Sequence, residues 1–378
     1  MSRLLASSTA LTQFTVTGTL PGPDDLFSII SSALSRFAFR PINDTPDAVS
    51  TGWVQIDDMT VAAFDNPGSV WIGHFLFFSL RQDVRRIPGA VLKQEMKKEE
   101  DTWLKEHPNM RRMPKRKREE TKEATTLKLL AKTLPVPSVS DVVWDTKTGT
   151  IYLFANAGKM IDLFESLFRK TFPEYGLKMV IPYHRAEQSA ISTNLTQELI
   201  AANQAGSDSL LSLIKDNTWI GRDFFLWLLA GSSGGQTNGF SAWIDKRLVM
   251  IGMGGEGLQK ITVAGDVAGR FPTIKTTIQD GKQITSATVY IEDNDGVVYR
   301  MTLAGDTFIM NGFRTPAVRL DGEIDDTINE FQAAILEKMH LVNTGLGYLH
   351  TLLTLFLEER LTTRWGARLD EIQTWMEE

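Results

Sequence analysis

Residues 110–130 read "MRRMPKRKREETKEATTLKLL". Six of the eight positions from Arg111 to Arg118 are Lys or Arg, in a chain whose net charge is −6. From Lys93 to Lys132 there are thirteen basic and eight acidic residues, a net of +5, which leaves −11 for the rest. A chain polarised in this way can meet a polyanion with one element while its body stays in solution. The plainer reading of the same run is a solvated helical face laced with salt bridges.

Just upstream, "RRIPGAVLKQEMKKEEDTWLKEH" turns strongly helical after Pro88-Gly89. Leu92, Met96 and Trp103 share one face there, with Ala90 and Leu104 at its edge. Pro108 and Pro114 bracket a turn, and Pro114 suits the start of a second helix. That helix is expected to run to about Leu134, with Ala124, Leu127, Ala131 and Leu134 as its apolar stripe. Two helices and a short turn make an αα-hairpin. Arms of about 20 residues are roughly 30 Å long. Polar faces outnumber apolar ones, so the hairpin projects.

The flanks fix the fold class. "TQFTVTGTL" alternates like a strand, and "PGPDDLFSIISSALSRF" reads as a helix with Asp24 or Asp25 as its N-cap. "GWVQI" and "SVWIGHFLFFSL" read as strands, the second buried on both faces. After the hairpin, "DVVWDTKTGTIYLFA" reads as a β-hairpin, "GKMIDLFESLFRKTF" as an amphipathic helix and "LKMVIP" as a strand. The charged hairpin is thus inserted in an α+β body. From Trp219 to Leu320 the chain reads mostly as strands, with "DNDG" as a tight turn. Ile335, Met339, Val342, Leu346, Leu349, Leu353 and Phe356 then form a heptad seam, suited to a coiled coil or to a helix packed on its own domain. The 378 residues predict two or three domains. The divisions expected are 1–86 and 138–218 as two α+β parts of a body, 87–137 as the arm, 219–322 as a β-rich domain and 323–378 as C-terminal helices.

Most chemistry has no footing. There are no cysteines, which excludes disulfides and Cys-based zinc sites. The N-terminal "MSRLLASSTALTQF" holds no apolar run of signal-peptide length, and "LGYLHTLLTLFL" is too short for a transmembrane helix, so a cytoplasmic protein without membrane contact is expected. "GMGGEG" (252–257) matches a dinucleotide fingerprint, but a strand-like segment follows it where a helix is needed. "GSSGGQTNG" (231–239) lacks the Lys and hydroxyl of a P-loop. His74, His107, His184, His340 and His350 form no metal-binding pair. "DNDG" lacks the spacing and terminal acid of a calcium loop. A nuclease needs carboxylates gathered on a divalent metal. "DTK" (145–147) has a D-x-K form, with Asp141 nearby, yet it falls in a predicted turn. Asp57-Asp58 and Asp325-Asp326 lack partners. No catalytic residue, metal or cofactor is expected. The basic hairpin, with Trp103 as its one aromatic residue, suits phosphate contacts better than base stacking.

Several segments in collinear order resemble the RdgC family of bacterial recombination-associated proteins. They are "RRIPGAVLKQEM", "RKREETKEATTLKLL", "DVVWDTKTGTIYLFA", "FESLFRKTF", "IGRDFFLWLLAGSS" and "AAILEKMHLV". The resemblance covers about Gly52 to Phe356. It implies an α+β protein forming a ring-shaped homodimer around duplex DNA, with little sequence preference, associated with the nucleoid. It implies competition with a RecA-type recombinase for DNA, and some members carry an exonuclease label. Ile87 to Gly89 would mark the entry to the arm. Arg111, Arg112, Lys115, Arg116, Lys117, Arg118 and Lys122 would line the DNA channel or its rim. Arg81, Arg85 and Arg86 would line its wall, and Leu134 and Val136 would join a subunit contact. Relatives place aromatic residues near that contact where this chain has "LPVP". Binding of single-stranded DNA stays open. Two other readings remain: a magnesium-dependent exonuclease, and a protein-interaction module that docks the arm and the heptad seam on an acidic partner.

Overall fold

A computed structural model describes residues 4–19, 23–43, 45, 47–231, 236–237, 239–255, 257–320 and 329–378. In chain order the first elements are β1 (Ser8–Thr17), α1 (Pro23–Arg36), β2 (Val49–Val54), β3 (Trp71–Ile72), β4 (Phe75–Val84), α2 (Gly89–Glu106), α3 (Lys115–Lys132) and β5 (Val136–Asp145). Then come β6 (Thr150–Leu153), α4 (Gly158–Thr171), β7 (Gly176–Met179), α5 (Pro182–Thr193), α6 (Thr196–Ala202), α7 (Leu210–Asp216) and α8 (Trp219–Gly231). The remainder is β8 (Gln236–Thr237), β9 (Phe240–Gly254), β10 (Gly257–Gly265), α9 (Phe271–Gln279), β11 (Gln283–Asp293), β12 (Val298–Ala304), β13 (Met310–Arg314), α10 (Glu330–Arg360) and α11 (Arg364–Glu377). The fold is α+β, with antiparallel strand pairing throughout the named ladders.

The chain divides into two compact units, neither continuous in sequence. One comprises residues 18–146 and 164–175, the other residues 1–17, 147–163 and 176–378.

In the first unit β4 lies between β2 and β5. Helix residues 164–171 bring Phe164 and Phe168 to this core, and Phe172 follows. Trp53 meets Phe78 edge-on at 5.1 Å, and Trp144 meets Phe168 at 5.8 Å. The buried Trp53 indole donates to Thr171 Oγ1 at 2.8 Å, so its one polar atom is satisfied. The segment expected as one strand is a hairpin: β3 folds back on β4 through Gly73, whose φ of +60° suits a tight turn. Continuous apolarity hid that turn. Val84 at the end of β4 faces Val136 at the start of β5. The arm is therefore the connection between two neighbouring antiparallel strands, which explains how it can project without disturbing the sheet.

In the second unit the strand order is β10-β9-β11-β12-β13-β1-β6, with β7 on β1 and β8 on β9. Helix α10 begins with a capping box between Asn329 and Gln332. All seven residues of the heptad seam are buried within this single chain. The seam packs on its own unit and is not a free coiled-coil face. A Cβ on Gly345 would come within 2.8 Å of Phe313 and Tyr299, so the glycine permits close approach of α10 to the strands. Helix α8 occupies the start of the region expected to be mostly strand. Nine of its thirteen residues are buried, so it shows no one-sided period to read. Gly254 and Gly257 flank the β9–β10 turn as its closing pair, and "DNDG" joins β11 to β12 with Gly296 at φ +75°. The C-terminal α11 is held by Arg368, which donates to Glu359 at 2.8 Å, and by Trp375, which packs edge-on against Phe271 at 5.5 Å. Asp325-Asp326 lie outside the described residues, as does most of the 231–239 stretch. Among the described residues no helix is long and apolar enough to cross a membrane.

Candidate nucleic-acid interface

Helices α2 and α3 form the αα-hairpin expected from the sequence. Pro88 and Pro114 sit at the two N-cap positions, with φ of −57° and −58°. Their fixed φ positions the chain for each helix, and neither has an N–H to waste. The turn between them is closed by His107, which stacks on Trp103 at 4.1 Å and donates to the Trp103 carbonyl at 2.9 Å. Met113 is buried beneath the turn, and the Thr121 hydroxyl reaches its sulfur at 3.7 Å.

The arm has almost no core. No residue of α2 is buried, and Thr125 alone is buried in α3. The expected α3 stripe of Ala124, Leu127 and Ala131 faces solvent, with Leu127 54% exposed. The inward side follows Thr125 instead, with Thr121 and Leu129 half-buried one turn to either side. Thr121 and Thr125 are polar, so hydropathy pointed to the wrong face. Polar links help hold the helices: Lys128 pairs with Glu99 across the arm at 3.5 Å, and Lys98 pairs with Glu95 along α2. The Lys98 hydrogen bond holds the Glu95 carboxyl below the usual range.

The basic run is distributed around α3 and its preceding turn. Arg116 and Lys117 both engage Glu120, at 3.2 and 3.7 Å. Arg111, Arg112, Lys115, Arg118 and Lys122 are exposed and, among the described residues, have no carboxylate within 4 Å. Lys115, Arg118 and Lys122 are spaced 3 and 4, so they share a face. That face lines a groove of ≈ 750 Å³ between the helices, with Lys93 and Lys97 contributed by α2. Lys93 and Lys97 were not singled out from the sequence, although their i,i+4 spacing on a recognised helix was a usable signal. Glu100, Asp101 and Glu119 also enter the groove, while Arg111 and Arg112 stand clear of it.

The three arginines before the arm separate. Arg81 donates through Nε and Nη2 to the two carboxylate oxygens of Asp83, each at 2.8 Å, donates through Nη1 to the Met59 carbonyl and covers Phe39. Arg85 is buried and donates to the carbonyls of Ile42, Asn43, Thr45 and Asp47. Strand alternation places Arg81, Asp83 and Arg85 on one covered face. Both guanidinium groups are thus engaged within their own unit. Arg86 lies beyond the strand end and is exposed.

Leu134 and Val136 are 83% and 63% exposed at the base of the arm. Val136 faces Val84, and Val84 faces Val49, itself 50% exposed. An apolar row thus crosses three strands at the base of the arm, exposed at Val49 and Val136 and half-buried at Val84.

The carboxylates considered for metal chemistry are dispersed. Asp141 accepts from Ser79 at 2.8 Å, and Asp145 lies 3.8 Å from His74. Among the described residues no three His, Asp or Glu side chains gather as a metal site.

A family model described as "Putative exonuclease, RdgC" matches residues 20–213, which include the whole arm. No curated protein matches the chain.

Proposed function

Because this chain belongs to the RdgC family of recombination-associated proteins, we propose that it binds DNA without sequence preference and does so as a homodimer encircling duplex. On this reading it limits the access of a RecA-type recombinase, and it works in the cytoplasm at the nucleoid. The observation that carries the reading is the set of exposed cations without carboxylate partners: Arg86, Arg111, Arg112, Lys115, Arg118 and Lys122. Cations on this arm and at its entry contact phosphates, which carry no sequence information. An acidic body repels the same polymer and directs it to the arm. The dimer is supported by the apolar row at the arm's base, which two copies would remove from water.

The test is binding of a labelled random-sequence duplex across a salt series, first with EDTA and then with magnesium. Six neutralised phosphates give a log-log slope of about −5. Arg111→Glu, Arg112→Glu and Arg118→Glu together are expected to weaken binding to unrelated sequences equally. No binding at low salt would leave the arm as a protein-docking element. The family description favours one second reading, an exonuclease. Shortening of the duplex that requires magnesium and vanishes with chelator would establish it.

A further inference from the structure

A second set of residues lies in register across the larger unit, on strands far from the arm in sequence. Trp243 on β9 faces Tyr290 on β11, and Tyr290 faces Arg300 on β12. Arg300 faces Arg314 on β13, and Arg314 faces Ser8 on β1. Five strands at about 4.8 Å spacing make a row roughly 19 Å long. Alternation puts the row on the opposite face from Tyr299, Met301 and Phe313, which are buried toward α10. Helix α8 shares the α10 side, since Phe224 meets Phe356 edge-on at 5.7 Å. The row itself is half-buried at Trp243, Tyr290 and Arg300 and exposed at Arg314 and Ser8.

Two features of this row are independent of each other. The Trp243 and Tyr290 rings are stacked, with centroids 5.5 Å apart and planes at 15°. Both residues stand half-buried on the face of the sheet opposite α10. Next to them, Arg300 and Arg314 are direct cross-strand neighbours of like charge, an arrangement that destabilises a sheet unless an anion lies between them. Among the described residues neither has a carboxylate within 4 Å. The adjacent row is polar: the buried Thr288 and the half-buried Thr302 share a hydroxyl hydrogen bond at 2.9 Å, and Gly312 has no side chain. Glu292 borders the row beside the β11–β12 turn, and Asp245 is engaged with the Val267 N–H and Lys246.

We propose that this row binds single-stranded nucleic acid, with bases stacked on Trp243 and Tyr290 and phosphates held by Arg300 and Arg314. Stacking needs an accessible base face, which a closed duplex does not present. An acidic peptide would satisfy the arginines and leave the ring pair unused. The site is separate from the arm, and its residues lie outside the segment matched by the family model.

The test uses the full chain and fluorescently labelled oligo(dT) and oligo(rU), with a duplex of equal length alongside. Arg300→Gln with Arg314→Gln is expected to weaken single-strand binding and to flatten its salt slope by about 1.4, the share of two phosphates. Tyr290→Ala is expected to cost roughly tenfold in single-strand affinity, and Tyr290→Phe to restore it. Duplex affinity stays unchanged in all of these, whereas the arm reversals lower it. Photo-crosslinking of the unsubstituted protein with 5-iodouracil oligonucleotides removes any concern over folding, and the label is expected on Trp243 or Tyr290. Binding of either the deoxy or the ribo strand, lost with these substitutions, upholds the site. Neither strand binding, crosslinks confined to other segments, or equal loss of duplex affinity would overturn it.

Discussion

At single residues, charge and role come apart. Arg85 and Arg86 are adjacent and chemically identical, yet one is enclosed by four carbonyls and the other is exposed. Arg85→Ala leaves buried carbonyls without donors and is expected to cost about 2–4 kcal/mol of stability. The folded fraction should bind duplex with unchanged affinity. Arg86→Ala should reverse the pattern, leaving the melting temperature alone and weakening DNA binding. Denaturant titration and anisotropy on both variants check this. Lys338 is a second case. It is 1% exposed and donates to the Ala6 carbonyl and the Thr315 hydroxyl, and burial pushes its pKa down to about 8. Unfolded lysine titrates near 10.4, so between about pH 8 and 10.4 the unfolded chain binds more protons and stability rises with pH. The gain is complete above the unfolded pKa and is lost as pH falls through the folded one. Lys338→Met should flatten that rise, as read from denaturant midpoints at pH 7.5, 9 and 10.5.

At the level of elements, α10 shows two glycines with opposite consequences. Gly345 faces the packed rings of Phe313 and Tyr299, while a Cβ on Gly347 would meet nothing within 4 Å. Gly347→Ala should stabilise by up to about 1 kcal/mol through helix propensity. Gly345→Ala gains the same propensity but overpacks the core, at a cost of about 1–3 kcal/mol, and should be a net loss. Thermal melts of the two variants are expected to shift in opposite directions. The sequence showed both glycines as weaknesses in a heptad seam and could not say which one touched anything, because contact with a distant strand leaves no local signal. The same limit explains the other departures. Helix α8 is buried on nearly all sides, so periodicity had nothing to report, and the β3–β4 turn lay inside an unbroken apolar run. What was legible was strongly patterned: the proline-started arm helices, the amphipathic α4 and the alternating strands around "DNDG". At the candidate site, sequence charge located the arm. It could not separate Arg81 and Arg85 from Arg86, nor find the Trp243 to Arg314 row, which exists only through register between strands far apart in the chain.

At the scale of the whole molecule, a net charge of −6 with a positive arm sets the terms of association. Two arms of like charge repel, so a dimer joined near them needs apolar burial to offset that repulsion, and nearby salt or DNA should favour it. Leu134 and Val136 are the residues best placed to supply the burial, being 83% and 63% exposed in one chain. Leu134→Asp with Val136→Asp removes nothing from the monomer's core, so its melting temperature at low concentration should hold. The variant should sediment as a monomer at concentrations where the unsubstituted chain is a dimer. Encirclement has a further signature that affinity alone lacks. A closed ring on covalently closed circular duplex is linked to it, so protein loaded at low salt should stay bound after a shift to high salt. Cutting the circle once should release it. The aspartate pair should bind the circle but leave it at high salt before cutting. If the unsubstituted chain leaves intact circles as fast as linear DNA, the arms grip the duplex from one side, and the apolar row serves something other than closure.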